Sequence, residues 1–272
     1  MSFVQAQRHG VIGPRRRLAL ALALATSAPV LADGLSLRFE EGIARAPDSA
    51  TELYREQHWI RRDGERPIER VVLYRCPDGT AFGRKQIDYR ASATAPTFVF
   101  DDRRSGYREG MRRGPETTLF FRANGKAVEK SAGVGSAQLV VDAGFDEFVR
   151  RHWAPLLAGR AVPLEFALPS RLRSLGFSLG RAGEALVAGE KAWVFRLKLE
   201  GWLAWIAPSI DVSYGQQSRR LLRFEGLSNL RDDAGDKPLL ARIDFAGPAR
   251  AASEGQWQEA LRMPLSACRA GR

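Results

Sequence analysis

The sequence predicts a mainly β protein: one curved antiparallel sheet or open barrel, with one main helix packed in or on it and a short C-terminal helix. Three observations predict this fold class. Short runs in which apolar and polar residues alternate recur along the chain, and a period of two is typical of half-buried strands. Turn signals separate these runs. One longer segment has the spacing of an amphipathic helix. A long series of short strands favours a single sheet that curves or closes.

The first half of the chain contains most of the predicted strands. Asp63-Gly64 and Asp78-Gly79 lie between apolar runs, and such dipeptides favour tight hairpin turns. Asn124-Gly125 is the strongest hairpin signal in the sequence. The strands predicted here are residues 35–39, 53–60, 68–75, 81–90, 97–100, 107–112, 117–122, 127–130 and 138–141.

One helix is predicted at residues 143–157. Apolar residues that include Phe148 and Trp153 recur there at helical spacing, so their side chains would form one apolar face. Asp142 is placed to cap the start of the helix. Pro155 removes an internal hydrogen bond, so we expect a kink in the last turn.

Strands resume after the helix. The predicted strands are residues 163–168, 176–181, 192–200, 210–214, 219–225 and 239–245. Alternation predicts that Trp193 and Phe195 point to one face and Arg196 to the other. Ser253 and Gln256 have the spacing of a capping box, which predicts a short C-terminal helix.

The N-terminus has the organisation of a secretory signal peptide. Arginines at 15–17 precede an apolar stretch at residues 18–31, and the residues up to Ala32 fit a cleavage site. We therefore expect a signal peptide at residues 1–32 and a single β-rich domain at residues 33–272. The expected location is periplasmic or secreted.

The net charge suggests which partners the chain has. The 272 residues include 42 Lys and Arg against 31 Asp and Glu, a formal charge of +11. Four of these charges belong to the predicted signal peptide. An exported protein meets little nucleic acid, so we expect no nucleic-acid partner. Acidic envelope components, such as anionic lipid head groups at a membrane surface, fit the remaining charge better.

Cys76 and Cys268 both follow the predicted cleavage point. In an oxidising compartment they can form a disulfide that ties the C-terminal tail to an early hairpin. The alternative is two separate buried thiols, because sequence gives no distance between them.

Two groups of residues are candidates for ligand binding. The aromatic candidates are Phe148, Trp153, Trp202 and Trp205. The arginine candidates are Arg103, Arg104 and Arg108. Aromatic side chains can line an apolar cavity or simply pack in a core. Guanidinium groups suit an anionic head group, although a charged turn with internal ion pairs is the alternative.

Catalysis and metal binding are the less favoured interpretations. Residues 176–180 match the G-x-S-x-G nucleophile elbow with Ser178 at its centre, which would make the chain a serine hydrolase. Such a serine needs a histidine further along the chain, whereas His9, His58 and His152 all precede it. The histidine and cysteine spacings fit no metal motif, so neither a metal nor a cofactor is expected.

Residues 218–230 and 241–245 resemble the late sheet strands of exported bacterial β proteins. Those proteins are similar in style to the periplasmic lipoprotein-carrier half-barrels of the LolA and LolB type. The resemblance implies a curved sheet wrapped around a helix, with a hydrophobic cavity for acyl chains. Our leading hypothesis is an exported, non-enzymatic protein that binds a hydrophobic or amphipathic ligand such as a lipid. The second hypothesis is an envelope structural or interaction protein without a small ligand.

Overall fold

The computed structural model describes residues 34–136, 138–201 and 209–270. Within these ranges the chain forms 16 β-strands and three α-helices. The same ranges contain no helix that is long and apolar enough to cross a membrane. The predicted signal peptide lies outside the described residues.

The strands and helices are numbered in chain order. The first strands are β1 (Leu35–Arg45), β2 (Glu52–Asp63), β3 (Arg66–Arg75), β4 (Ala81–Asp88), β5 (Thr97–Asp102), β6 (Tyr107–Arg113), β7 (Thr117–Arg122) and β8 (Lys130–Gly133). The later strands are β9 (Leu139–Val140), β10 (Val162–Leu168), β11 (Arg173–Val187), β12 (Glu190–Leu199), β13 (Ile210–Gly215), β14 (Leu221–Arg231), β15 (Pro238–Asp244) and β16 (Arg250–Ala251). The helices are α1 (Phe145–Arg151), α2 (Trp153–Leu157) and α3 (Glu254–Arg262), and 3₁₀ turns cover Asp142–Gly144 and Pro169–Arg171.

In the part of the chain that the structure describes, all 16 strands belong to one curved sheet that does not close. Strands β1–β8 pair in chain order and form the N-terminal meander, and β10–β15 form the C-terminal meander in the same way. The two are joined where β1 pairs with β15. Strand β9, shorter than the predicted strand 138–141, pairs with β10 in parallel, whereas the meanders are antiparallel. The predicted fold class is therefore confirmed.

The sheet has two faces that carry different helices. We call the face covered by α1 and α2 the inner face, and the face covered by α3 the outer face. On the inner face, Phe195 and Val212 pack with Val149 of α1. On the outer face, Trp59 packs with Trp257 of α3. The predicted capping box at the start of α3 is confirmed.

The predicted helix at 143–157 is broken into two. Its halves meet at His152, and the cause is Pro155, which cannot donate the backbone hydrogen bond that would continue the helix. Asp142 does not cap the helix as predicted. Its carboxylate instead accepts a hydrogen bond from Lys85 Nζ.

The hairpin predicted at Asn124-Gly125 is a longer loop. The strand expected at residues 127–130 is observed at Lys130–Gly133. The Gly125 amide donates to the carbonyl of Ser105 in the β5–β6 turn at 3.0 Å. This tertiary contact overrides the local preference for a two-residue turn.

Strand β11 is much longer than the predicted strand 176–181. Ser178 lies within it, opposite Pro163 on β10 and Lys198 on β12. A nucleophile elbow needs a sharp turn between a strand and a helix. The turn required by the hydrolase hypothesis is therefore not present at Ser178.

A disulfide joins the C-terminal tail to the β3–β4 turn. The Sγ atoms of Cys76 and Cys268 are 2.07 Å apart and the Cα atoms 6.4 Å apart, across a sequence separation of 192 residues. The backbone amide of Ser266 also donates to the carbonyl of Ala81 at 2.9 Å. The tail is therefore fixed to the N-terminal meander.

Candidate functional site

Two of the aromatic ligand candidates lie in the helices that cover the inner face. Phe148 is 5% exposed and Trp153 is 6% exposed. The Trp153 ring meets the rings of Phe195 and Tyr214 edge-on, with centroids 5.4 and 6.0 Å away. We call residues 145–157 the helical cover. Its aromatic side chains fill the space above the C-terminal meander.

The sequence-based hypothesis placed these aromatic residues around an open cavity. In the structure Phe148 and Trp153 pack against the sheet, and they line neither of the two clefts described below. Trp202 and Trp205, the other two candidates, lie outside the described residues. The inner face of the C-terminal meander is apolar, but the helices α1 and α2 of the same chain cover it.

The predicted arginine patch is mostly engaged in ion pairs. The side chain of Arg104 is 1% exposed and donates to Asp102 at 2.6 Å and to Asp233 in the β14–β15 turn at 3.1 Å. Arg108 donates to Asp101 at 3.1 Å. Arg103 is exposed. Arg104 therefore joins the two meanders rather than offering a free cation, and none of the three candidates lines either cleft.

One cleft lies on the outer face, between α3 and strands β3–β6. It has a volume of about 530 Å³ and Trp257 forms part of its wall. Two of its four arginines are paired, since Arg61 donates to Glu69 at 2.7 Å and Arg112 to Glu129 at 3.0 Å. The other two, Arg70 and Arg113, form no ion pair within the described residues.

The other cleft lies beside α1, and we call it the arginine cleft. It has a volume of about 550 Å³. Its lining residues are Glu65, Ala93, Glu147, Arg150, Arg151, Ser218 and Arg219. Three of the seven are arginines, contributed by the end of α1 and by the turn between β13 and β14. Guanidinium groups that converge on one cleft suit a phosphate or carboxylate ligand.

The arginine cleft adjoins the helical cover directly. The Arg219 guanidinium lies 5.5 Å from the centroid of the Trp153 ring, within the range of a cation–π contact. Arg151 precedes Trp153 by two residues, so its side chain leaves the helix on a different side. The helical cover therefore presents an apolar side to the sheet and, at the end of α1, two arginines to the cleft.

Glu147 makes the charge of the cleft dependent on pH. Burial raises the pKa of its carboxyl group, and the neighbouring carboxylate of Asp146 raises it further. Arg62 lies 3.5 Å from Glu147 and opposes this shift only in part.

An ion pair between a buried lysine and an exposed aspartate lies at the start of the helical cover. Lys85 is 3% exposed, and its Nζ donates to Asp142 Oδ2 at 2.5 Å. The rings of Tyr74, Phe98 and Phe100 surround the ammonium group at 5.7–5.9 Å. Burial alone lowers the pKa of Lys85, but the carboxylate of Asp142, together with Tyr74 and Glu56, outweighs it and the pKa is raised.

Further titratable groups share the inner face of the N-terminal meander. His58 Nε2 lies 3.0 Å from Glu56 Oε2, and the Tyr107 hydroxyl donates to Glu109 at 2.5 Å. Strand register places His58, Lys85 and Glu109 in one row across the sheet. We call His58, Lys85, Glu109 and Asp142 the polar cluster.

The polar cluster is tied to the start of the helical cover. Besides the Lys85–Asp142 pair, the Tyr89 hydroxyl donates to the carbonyl of Ala143 at 2.7 Å. Gly144 lies so close to Thr94 that a Cβ atom there would be 2.0 Å from the Thr94 carbonyl oxygen. The chain entering α1 is therefore anchored to the N-terminal meander.

Sequence reasoning missed the cations that the fold brings to the cover. Arg150 and Arg151 stand directly before His152 and Trp153 in the sequence, so their position on the predicted helix was a usable signal. Arg219 could not be found in the same way, because only the fold brings its turn to α1.

No protein-family model matches the chain, and no curated protein matches it. Among solved structures, it is similar to a β-barrel-like protein of the domain of unknown function DUF1849 from Brucella abortus. That match has 6% identity, covers 80% of this chain and 98% of that chain, and has a TM-score of 0.37.

The chain is also similar to MucB, with 14% identity, coverage of 87% of this chain and a TM-score of 0.28. It spans 59% of the length of that MucB chain. The complex of MucA and MucB from Pseudomonas aeruginosa gives 13% identity, coverage of 82% of this chain and 55% of that chain, and a TM-score of 0.27. Similarities this low define neither a family nor a ligand, and the likeness to lipoprotein carriers stays a prediction from sequence.

Proposed function

We propose that this chain is an exported, non-enzymatic protein of the cell envelope that binds an anionic amphipathic ligand, such as a lipid. One observation carries the proposal: an apolar surface and a cationic cleft meet at a single short element. The helices α1 and α2 pack on the apolar inner face, and the last turn of α1 contributes Arg150 and Arg151 to the arginine cleft. An amphipathic ligand is recognised by such a combination of apolar wall and charged group.

The helical cover has the properties of a movable element. Its helices have seven and five residues, and isolated helices of that length are not stable in water. Packing on the sheet therefore holds them in place. Displacement would uncover Leu179, Phe195 and Leu197, and an acyl chain that replaced the cover would gain about 0.8 kcal/mol for each buried CH₂ group.

Two features support an exported location. The N-terminal 32 residues have the composition of a signal peptide. The disulfide between Cys76 and Cys268 belongs to the class of bonds that persist in oxidising compartments. A periplasmic or secreted protein encounters lipids and other envelope components as its acidic partners.

Native mass spectrometry of protein purified from its own host tests the proposal. We expect the wild type to carry an additional mass that lipid extraction removes. Trp153→Leu should lose that mass, because it removes an aromatic ring from the covered wall. Trp257→Leu is the matched control, because Trp257 is 4% exposed but lies on the outer face under α3. It should retain the mass.

Absence of any bound amphipath, together with unchanged amide exchange of residues 143–157 when envelope lipids are added, would contradict lipid binding. The second function, an envelope interaction protein without a small ligand, would then be favoured. One observation supports it: β8 is exposed, and among the described residues only β7 pairs with it. Exposed sheet edges can add a strand from a partner protein.

A further inference from the structure

Two cations of the arginine cleft are free to meet a ligand. Arg150 is neutralised by Asp146, whose Oδ2 lies 3.1 Å from the Arg150 Nε. Arg151 and Arg219 are exposed and form no ion pair within residues 34–136, 138–201 and 209–270. The cleft therefore contains two guanidinium groups that form no ion pair within the described residues.

The acidic residues of the cleft leave a small positive balance. Glu147 is paired with Arg62, so Glu65 is the one lining carboxylate that does not have such a partner among the described residues. Arg151 and Arg219 together exceed it by one charge. This balance matches a ligand group that carries a single negative charge.

We propose that Arg151 and Arg219 form a binding subsite for a phosphodiester group, as found in the head group of an anionic lipid. The inference rests on the proposed function for the acyl part of the ligand, whereas the subsite itself depends on the two arginines. Guanidinium groups donate paired hydrogen bonds to phosphate oxygens, which a single ammonium group cannot do.

The backbone of Arg219 supports this assignment. Its φ angle is +51°, in the left-handed region that residues other than glycine seldom adopt. The Arg219 amide donates to the carbonyl of Gly215 at 2.9 Å, and the Gly215 amide donates to the carbonyl of Arg220 at 3.0 Å. The turn thus holds an unfavourable conformation, and its effect is to place a guanidinium group beside Trp153.

The neighbouring hydroxyl does not supply the anion contact. Ser218 Oγ donates to Glu190 at 2.6 Å and so fixes the turn rather than facing a ligand. The arginines are left as the hydrogen-bond donors of the subsite.

Anion binding should strengthen as the pH falls. Glu147 faces Asp146 and Arg150 on its own helix, Arg62 on β2 and Arg70 on β3. The raised pKa of Glu147 brings its protonation closer to neutral pH, and protonation removes a negative charge from the cleft. Glu147→Gln should therefore bind a phosphodiester more tightly at neutral pH and lose most of this pH dependence.

Isothermal titration calorimetry of the mature protein tests the subsite. The probes are dihexanoyl phosphatidylglycerol below its micelle concentration and its deacylated head group, glycerophosphoglycerol. Arg151→Gln and Arg219→Gly should each raise the Kd for both probes about tenfold, the size expected for a lost hydrogen bond to a charged group. Arg103→Gln, an exposed arginine outside the cleft, should leave both Kd values unchanged.

Thermal melting separates binding from structure. Arg219→Gly should melt at or above the temperature of the wild type, because glycine adopts a positive φ without strain. Ala188→Gly is the matched control, since Ala188 has a φ of +50° and carries no charge. It should relieve similar strain without any change in Kd.

The outcomes distinguish the two proposals. If the wild type binds the head group and both cleft variants fail to bind it, the subsite is supported. This conclusion holds even if the lipid binds no more tightly than its head group. If the lipid binds and both cleft variants bind it like the wild type, the subsite is wrong while the proposed function stands. If Arg103→Gln raised the Kd as much as the cleft variants do, the attraction would be unspecific. That result would overturn the subsite.

Discussion

The two meanders use the inner face of the sheet in different ways. In the N-terminal meander, a row of the inner face carries His58, Lys85 and Glu109, all of them buried. In the C-terminal meander, the corresponding surface is apolar, with Leu179 and Phe195 packed under the helical cover. One continuous sheet therefore carries buried titratable groups among the apolar side chains of its interior on one side of the β1–β15 pairing, and an apolar interior under the helical cover on the other.

This difference predicts which half can open. Buried polar groups need specific partners at specific distances, and each group left without one costs about 1–3 kcal/mol. Apolar contact is non-directional, so a cover held by packing can leave the sheet and be replaced by another apolar surface. We therefore expect the N-terminal meander to be the rigid half and the helical cover of the C-terminal meander to be the movable part.

Substitution of one buried ring in each half gives the largest expected effect. Trp153→Ala and Phe100→Ala should each remove about 4 kcal/mol of packing free energy from their surroundings. For Phe100, which is fully buried beside Lys85, we expect a lower urea midpoint for the whole sheet. For Trp153 we expect faster amide exchange at residues 143–157 with a much smaller change in that midpoint.

Hydrogen exchange and urea unfolding of the same samples test whether the helical cover opens separately from the rest of the protein. Should Trp153→Ala lower the global midpoint as much as Phe100→Ala, the cover would be part of the cooperative core. The distinction between a rigid half and a movable half would then fail.

The fold class could be predicted from the sequence because polar and apolar residues alternate in nearly every described strand. It failed where distant contacts decide local structure. Gly125 packs on the β5–β6 turn, which no local pattern encodes. Strand β11 was predicted too short because Gly183 and Glu184 follow the predicted segment and broke the apolar signal, although both residues pair with β12.

The candidate site was harder to predict for the same reason. Phe148 and Trp153 were found because helical spacing marks them, but spacing did not show that their rings fill the cavity they were expected to line. Lys85 and Asp142 are 57 residues apart, and a lone lysine on a strand is usually exposed. Only strand pairing and the path of the chain into α1 bring this lysine to its carboxylate.

The Lys85–Asp142 pair predicts an asymmetric response to mutation. The Lys85 side chain is 4% exposed and that of Asp142 is 51% exposed. Asp142→Ala would leave a buried ammonium group without its carboxylate and should cost about 3 kcal/mol. Lys85→Met replaces the cation with an apolar chain of similar length and frees Asp142 to be solvated, so it should cost less than about 1.5 kcal/mol.

Urea unfolding of both variants measures this asymmetry. The double variant Lys85→Met with Asp142→Ala should be no less stable than Asp142→Ala alone, because the orphaned charge is gone. Equal losses for the two single variants would mean that water reaches Lys85. The surroundings of Lys85 in the N-terminal meander would then be more accessible to water than the burial of Lys85 indicates.

The smallest expected effect concerns Glu109, and its sign depends on pH. Burial raises the pKa of Glu109, and the hydrogen bond from Tyr107 offsets this only in part. The folded state then binds the proton more tightly than the unfolded state, so stability falls as the pH rises from the unfolded-state pKa of about 4.3 through the raised folded-state pKa. Glu109→Gln keeps an acceptor for Tyr107 and removes this loss.

Unfolding free energies of Glu109→Gln across pH should show the effect directly. We expect a gain of about 1 kcal/mol near pH 8 and almost none near pH 4. Glu259→Gln on the exposed side of α3 is the control and should show no such difference between the two pH values. If Glu109→Gln destabilised the protein near pH 8, the Glu109 carboxylate would be a needed counter-charge for Lys85. The polar cluster would then be held together by charge as well as by hydrogen bonds, and the N-terminal meander would lose its rigidity on acidification rather than gain it.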